Sequence, residues 1–168
     1  QGWQVPVITT SAHSAARIEE IQTENITSKF KEGMRVAVVA GFQGVSDTDR
    51  TTTLGRGGSD TTAVAFAAAF DAIRCDIYTD VDGIYTTDPR ITEKAKKLNK
   101  ISFEEMLELA SLGAKVLQTR SVELAMRFNV KLRVLSSFDS PEIVSGTLVC
   151  SEEEIMESNV VSGIAYSR

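Results

Sequence analysis

Residues 51–89 read TTTLGRGGSDTTAVAFAAAFDAIRCDIYTDVDGIYTTDP. A Thr- and Gly-rich loop opens the stretch and runs into an unbroken apolar segment. A short strand-like run then leads to a second loop carrying Asp80, Asp82, Gly83 and Asp88. Loop, helix, strand, loop is the layout of a phosphate-binding α/β unit. The remaining segments read as support for these two loops.

Upstream, residues 4–9 (QVPVIT) predict a short strand, with Pro6 at its start or on an edge. Residues 10–20 predict a loop with at most a turn of helix. Residues 25–32 carry Ile26 and Phe30 four apart and predict a weak helix ended by Gly33. Residues 34–40 (MRVAVVA) are a continuous apolar run, the pattern of a strand buried on both faces. Residues 41–58 then read as one long loop, of a length that is usually functional. Ser59 is expected as the N-cap of the following helix, with Asp60 adding negative charge to its first turn. Residues 63–72 are apolar nearly all round, which predicts a helix covered on more than one side. Residues 75–79 predict the next buried strand.

Downstream, Ser102 and Glu105 have the spacing of a capping box, with Ile101 placed to staple onto Met106. Phe103, Met106, Leu107 and Ala110 follow at helical spacing, and Gly113 ends that helix. A second helix is expected over 115–128, burying Leu117, Leu124, Ala125 and Phe128. Residues 132–135 and 147–149 predict two more strands, 151–159 a linker or interdomain helix, and 160–166 a further strand. Strands alternating with helices predict an α/β layered fold with a mostly parallel sheet.

With 168 residues the chain has room for one domain with a proper core. Its net charge of −5 argues against nucleic acid as the main partner, because phosphate backbones demand a clustered basic face. No apolar run approaches the ~20 residues that span a bilayer, so no membrane is expected, and no secretory leader is visible. One His and two Cys cannot make a typical zinc site, and no metal-ligating protein residues are assigned. A reducing, cytoplasmic setting follows as the default. His13 reads as a surface or hydrogen-bonded structural residue, Trp3 and the Phe66/Phe70 pair as core packing, and Glu152 to Glu154 as a solvated face.

The first loop places Gly55, Gly57 and Gly58 immediately before a helix. Glycine lets backbone approach an anion, and a helix N-terminus offers open N–H groups and a positive dipole end. Arg56 adds a planar fork suited to carboxylate or phosphate, and Asp60 suits an ammonium group or a metal. On glycines alone the stretch reads equally as a plain turn ahead of a capped helix. No Gly is followed by Lys-Ser or Lys-Thr, so a Walker-type P-loop is absent, and the spacing after Gly57 fails the dinucleotide fingerprint. The second loop begins where a strand ends, the place where ligands gather in open α/β sheets. Tyr85 is suited to a base and Arg90 to phosphate. The bland alternative is a set of polar turn residues beside a buried strand.

Taken together, LGRGGSDTTA and IYTDVDGIYTTDPR are far more specific than either alone. The chain resembles the amino-acid kinase family, and within it the aspartate kinases. The match continues through residues 38–44 (VVAGFQG), 95–98, 102–106, 113–117 and 146–149. The resemblance implies a three-layer αβα sandwich, incomplete here, with residues 1–150 forming the ATP-binding side of the catalytic domain. It implies transfer of the γ-phosphoryl group of ATP to the side-chain carboxylate of L-aspartate, with Mg2+, in a homo-oligomeric parent enzyme. By the same resemblance Arg56 pairs with a carboxylate of aspartate and Asp60 faces its α-ammonium. Gly57, Gly58 and Ser59 line the place of transfer. Tyr78, Thr79 and Asp80, with Ile84, Tyr85, Thr86, Thr87, Asp88, Pro89 and Arg90, hold ATP, as does Lys115, and Asp80 or Asp82 lies near magnesium.

Kinases of acetylglutamate, glutamate or a nucleoside monophosphate share the fold and are the first alternative. An inactive nucleotide-binding fragment is the second. The chain starts at Gln1 and lacks the Lys-x-Gly-Gly-Thr phosphate loop of the family. It is therefore expected to be a fragment that does not turn over by itself and that self-associates through uncovered strands. Residues 151–168 are expected to be a linker and the first strand of a truncated ACT regulatory domain.

Overall fold

A computed structural model of the chain describes residues 4–114, 116–140, 146–155 and 163–164. The chain divides into two compact units, Gln1–Asp71 and Ala72–Arg168. Each has its own four-stranded mixed sheet.

In the first unit β1 (Val7–Thr9) pairs antiparallel with β2 (Ile18–Ile21) and parallel with β3 (Gln43–Val45), which pairs antiparallel with β4 (Thr51–Thr53). The order is β2-β1-β3-β4. Pro6 stands just before β1, where its missing N–H costs no ladder bond, while its carbonyl accepts from Gln22. Two helices accompany the sheet, α1 (Glu24–Lys31) and α2 (Gly58–Ala69). Gly33 (φ +104°) follows α1 as expected.

Three expectations for this unit fail. Residues 10–20 are not merely loop: β2 occupies their end, and its charged Ile-Glu-Glu-Ile pattern hid a strand that lies at a sheet edge, where polar side chains meet water. Residues 41–58 are not one loop, because β3 and β4 form a hairpin within them, turned at Ser46 to Arg50. Residues 34–40 are not a buried strand. They pair with no described strand, and Val36 and Val38 are 74% and 98% exposed. An apolar run has strand propensity, but a strand exists only where a neighbour takes its backbone bonds.

In the second unit β5 (Cys75–Thr79) pairs parallel with β7 (Leu132–Ser136). β7 pairs antiparallel with β8 (Thr147–Cys150), which pairs parallel with β6 (Lys100–Ser102). Leu132, Val134 and Val149 on the two central strands are fully buried, each contributing about 1.5–3 kcal/mol of burial. Across both sheets three pairings are parallel and three antiparallel, so the α/β fold is as expected but its sheets are mixed.

α3 (Phe103–Ser111) starts with the predicted capping box. Ser102 Oγ accepts from the Glu105 N–H, and the Glu105 carboxylate accepts from the Ser102 N–H. Phe103, Met106 and Leu109 form its buried face, and Gly113 (φ +110°) follows it. α4 (Thr119–Phe128) packs on α3 and buries Ser121, Val122 and Ala125. Phe128, expected inside, is 53% exposed at the helix end with the Arg127 guanidinium 5.5 Å from its ring centroid. Glu152–Glu154 is one turn of 3-10 helix, tied back by an ion pair from Lys131 to Glu154. The strand expected at 160–166 lies outside the described residues except for Gly163 and Ile164, where the Ile164 N–H donates to the Thr86 carbonyl.

Candidate functional site

The two loops singled out in the sequence fall on different units. On the first unit, β4 delivers the chain to Leu54, 1% exposed, whose N–H donates to the Phe42 carbonyl. Gly57, and not the predicted Ser59, is the N-cap of α2. It takes a left-handed conformation (φ +71°, ψ +13°) that glycine adopts without steric cost, so the helix begins at Gly58, ahead of the start that a Ser59 cap would give. Gly57 has no side chain to cap with. Its carbonyl accepts from both the N–H and the hydroxyl of Thr61, while the Gly58 N–H donates to Gly55.

That arrangement leaves the amides of Ser59 and Asp60 with no acceptor among the described residues. Open first-turn amides and the helix dipole make this an anion-seeking turn. Arg56 is exposed beside it and forms no ion pair among the described residues. Asp60 is half-buried, and burial pushes its carboxyl above the usual value. A partly desolvated carboxylate with no cationic partner is ready for an incoming ammonium group. Arg56, Ser59 and Asp60 thus offer open donors, a guanidinium and an underpartnered carboxylate.

On the second unit, β5 ends at Thr79, whose carbonyl is held by the N–H and hydroxyl of Ser137. Tyr78 is 63% exposed, and Asp80, beyond the strand end, is exposed and accepts from the Thr79 hydroxyl. The following segment doubles back along residues 96–98. Leu98 N–H donates to Ile84, Thr86 N–H donates to Lys96, and Tyr85 bridges Lys97. Thr147, fully buried on β8, locks this ribbon: its hydroxyl accepts from the Ile84 N–H at 2.8 Å and donates to the Leu98 carbonyl at 2.6 Å.

Asp82 accepts from the Tyr85 hydroxyl at 3.0 Å and from Lys97 Nζ at 3.1 Å. Burial pushes the Asp82 carboxyl up, but the bonds from Lys97 and Tyr85 outweigh it and hold the group below the usual range. Asp82 is thus committed to orienting Tyr85. Asp88 grips Arg90 through a two-pronged bond, Nε to Oδ1 at 3.0 Å and a terminal nitrogen to Oδ2 at 2.8 Å, which keeps the Asp88 carboxyl low. The ion pair lies at the surface, with the Arg90 side chain 87% exposed. An incoming phosphate can exchange for Asp88 at little cost.

The structure therefore groups Arg56, Gly57, Gly58, Ser59 and Asp60 in one turn, and Thr79, Asp80, Tyr85, Thr86, Thr87, Asp88, Pro89 and Arg90 along one strand-end loop. Ile84 is 2% exposed with its backbone groups engaged, so it anchors the loop from inside. Lys115 lies outside the described residues. Three residues that shape these loops carried no individual signal in the sequence: Thr62, Lys97 and Thr147.

The sequence profile of the amino acid kinase family matches residues 1–136. An aspartate kinase of Pseudomonas putida is 59% identical over 168 residues, covering 99% of this chain and 40% of that protein. Among solved structures, aspartokinase III of E. coli in complex with aspartate and ADP (R-state) superposes with a TM-score of 0.78 at 40% identity. It covers 88% of this chain and 33% of that one. The same enzyme in complex with lysine and aspartate (T-state) gives 0.77, also at 40% identity, over 90% and 34%. The chain spans about two fifths of the length of the curated relatives it matches.

Proposed function

The chain belongs to the amino acid kinase family, and from that premise we propose that the protein carrying it phosphorylates the side-chain carboxylate of L-aspartate with ATP. The product is 4-phospho-L-aspartate, the first committed step toward amino acids of the lysine, threonine and methionine group. One observation carries the reading. The turn at Arg56 to Asp60 offers an anion site and a cation site within a few residues, which suits an acidic amino acid bearing both charges.

In this reading Arg56 and the open amides take a carboxylate of the substrate and Asp60 takes its ammonium. The loop at Thr79 to Arg90 holds the nucleotide, with Tyr85 fixed by Asp82 and Lys97, and Arg90 released from Asp88 to the phosphates. Lys115 joins it from the following segment. An oxygen of the ionised side-chain carboxylate forms a bond to the γ-phosphorus. The bond from that phosphorus to the β,γ-bridging oxygen breaks, and its electron pair leaves with ADP. The acceptor is already ionised at neutral pH, so alignment and charge neutralisation suffice and no general base is needed.

Among the described residues no group of three His, Cys, Asp or Glu is placed to hold a metal. That fits magnesium, which is commonly held by one or two carboxylates plus substrate phosphates. Asp80 is the fitting carboxylate, since Asp82 is committed to Tyr85 and Lys97. The ion, when bound, supplies positive charge against the triphosphate. The same reading makes the protein a cytoplasmic, allosteric homo-oligomer. Two buried free thiols accord with a reducing compartment.

The test follows ADP release by the protein from the complete reading frame, with aspartate, glutamate, acetylglutamate and UMP offered in parallel, and traps the acyl phosphate of the three carboxylate acceptors as hydroxamate. Aspartate is expected to be the preferred acceptor, and a preference for any of the others overturns the assignment.

A further inference from the structure

Phe42 has a backbone that phenylalanine rarely adopts. Its φ is +72°, in the left-handed region where a bulky side chain is an outlier. Glycines stand at 41, 44, 55, 57 and 58 around it, and a glycine at 42 would take the same φ without strain. The conformation is pinned from both sides. The Phe42 N–H donates to Thr62 Oγ1 at 3.0 Å, and its carbonyl accepts from the Leu54 N–H at 3.0 Å. Thr62 Oγ1 in turn donates to the Gly58 carbonyl at 2.7 Å, so one hydroxyl links Phe42 to the first residue of α2.

The ring occupies the space beside that residue. A Cβ added at Gly58 would lie 2.8 Å from Phe42 Cδ2 and 2.9 Å from Leu54 Cβ. The preceding Gly41 lies beside the same turn, where a Cβ would meet Ser59 Cα at an ordinary contact distance of 3.5 Å. Residues 41–42 and the first turn of α2 are therefore packed against each other by side chain, hydroxyl and backbone. Local strain that persists at a site is held by its surroundings and often serves the site's geometry.

We propose that Phe42 is a positioning residue for the acidic-substrate turn. Its strained backbone sets the ring against Gly58, and the ring with Thr62 fixes the direction of the open Ser59 and Asp60 amides. This rests on the reading of that turn as the aspartate side of a kinase.

Two arms test it. In the 168-residue chain, amide hydrogen exchange is measured at Gly58 and Thr61, whose N–H groups close the turn, and at Val64 and Ala65 in mid-helix. Phe42→Gly and Phe42→Ala are expected to speed exchange at 58 and 61 by about tenfold and leave 64 and 65 within about twofold, whereas Phe42→Tyr keeps all four protected. In the protein from the complete reading frame, Phe42→Gly is expected to raise KM for aspartate about tenfold, leaving KM for ATP within about twofold, with Phe42→Tyr restoring it. Unchanged exchange at 58 and 61 overturns the inference, as does a loss that strikes all four amides or both KM values alike, the mark of a merely structural residue. A wild-type protein inactive toward aspartate overturns the functional reading instead, and the exchange arm still decides whether Phe42 holds the turn.

Discussion

Thr147→Val isolates a single hydroxyl. Valine matches threonine in shape, yet the swap removes the group that accepts from the Ile84 N–H and donates to the Leu98 carbonyl. Ile84 is 2% exposed and Thr147 fully buried, so water does not replace the lost partner. A buried donor left unpaired costs about 1–3 kcal/mol. For a chain of this size that lowers the thermal midpoint by roughly 2–12 °C, at about 2–4 °C per kcal/mol. The same free energy loosens the ribbon carrying Tyr85, and under the proposed function it is expected to raise KM for ATP more than KM for aspartate in the protein from the complete reading frame. Circular dichroism on heating reads the first effect, and hydrogen exchange at the Ile84 amide reads the local one, as a loss of protection of roughly 5- to 150-fold. Thr147→Ser is the control: it keeps the hydroxyl and removes a methyl, costing about 1 kcal/mol through a small void and leaving the Ile84 amide protected. A valine variant that melts within about 1 °C of wild type with Ile84 still protected refutes the reasoning, and so does a serine variant that exposes Ile84 more than valine does.

Asp82→Asn removes the charge that Lys97 and Tyr85 share; both ionic side chains are partly exposed, so stability falls by only about 0.5–1 kcal/mol, while titration calorimetry with ATP shows weakened binding and aspartate binding stays unaffected. Because burial raises the Asp60 carboxyl, aspartate affinity is expected to weaken as pH falls through that raised value, with proton release on binding in the same range; a flat affinity profile from neutral pH down to 4 would sink the assigned role of Asp60. For Asp76, burial pushes the carboxyl up but bonds from Arg133 and Arg74 prevail and hold it below 3.8, so its contribution to stability is complete at neutral pH and is lost as pH falls below that ordinary value through the lower folded one. Arg133→Gln should cost about 1 kcal/mol at pH 7 and progressively less in acid, measured by urea unfolding at each pH.

Where the sequence carried a local chemical rule, the structure follows it. The Ser102/Glu105 capping box is formed, and Cys75 to Thr79 is a parallel strand as expected, though at a sheet edge and buried only at Cys75 and Ile77. The strand readings that failed depended on partners distant in sequence. Residues 34–40 have strand composition but no described neighbour, and Ile18 to Ile21 has charges yet finds an edge beside β1. The N-cap moved from Ser59 to Gly57 because a left-handed turn, which serine disfavours, starts the helix early. In the candidate site the exposed charged residues were legible by type, whereas Thr62, Lys97 and Thr147 act through contacts spanning 15 to 63 residues, which no local pattern encodes.

Both cysteines, Cys75 on β5 and Cys150 on β8, are buried in the second unit, and the first unit has none. The protein therefore contains its own chemical stopwatch. A thiol reagent reaches these sulfurs only when that sheet opens, and the mass gained per chain records each opening event. Labelling the 168-residue chain would time the sheet of the second unit, while the first unit, which has no cysteine, stays silent.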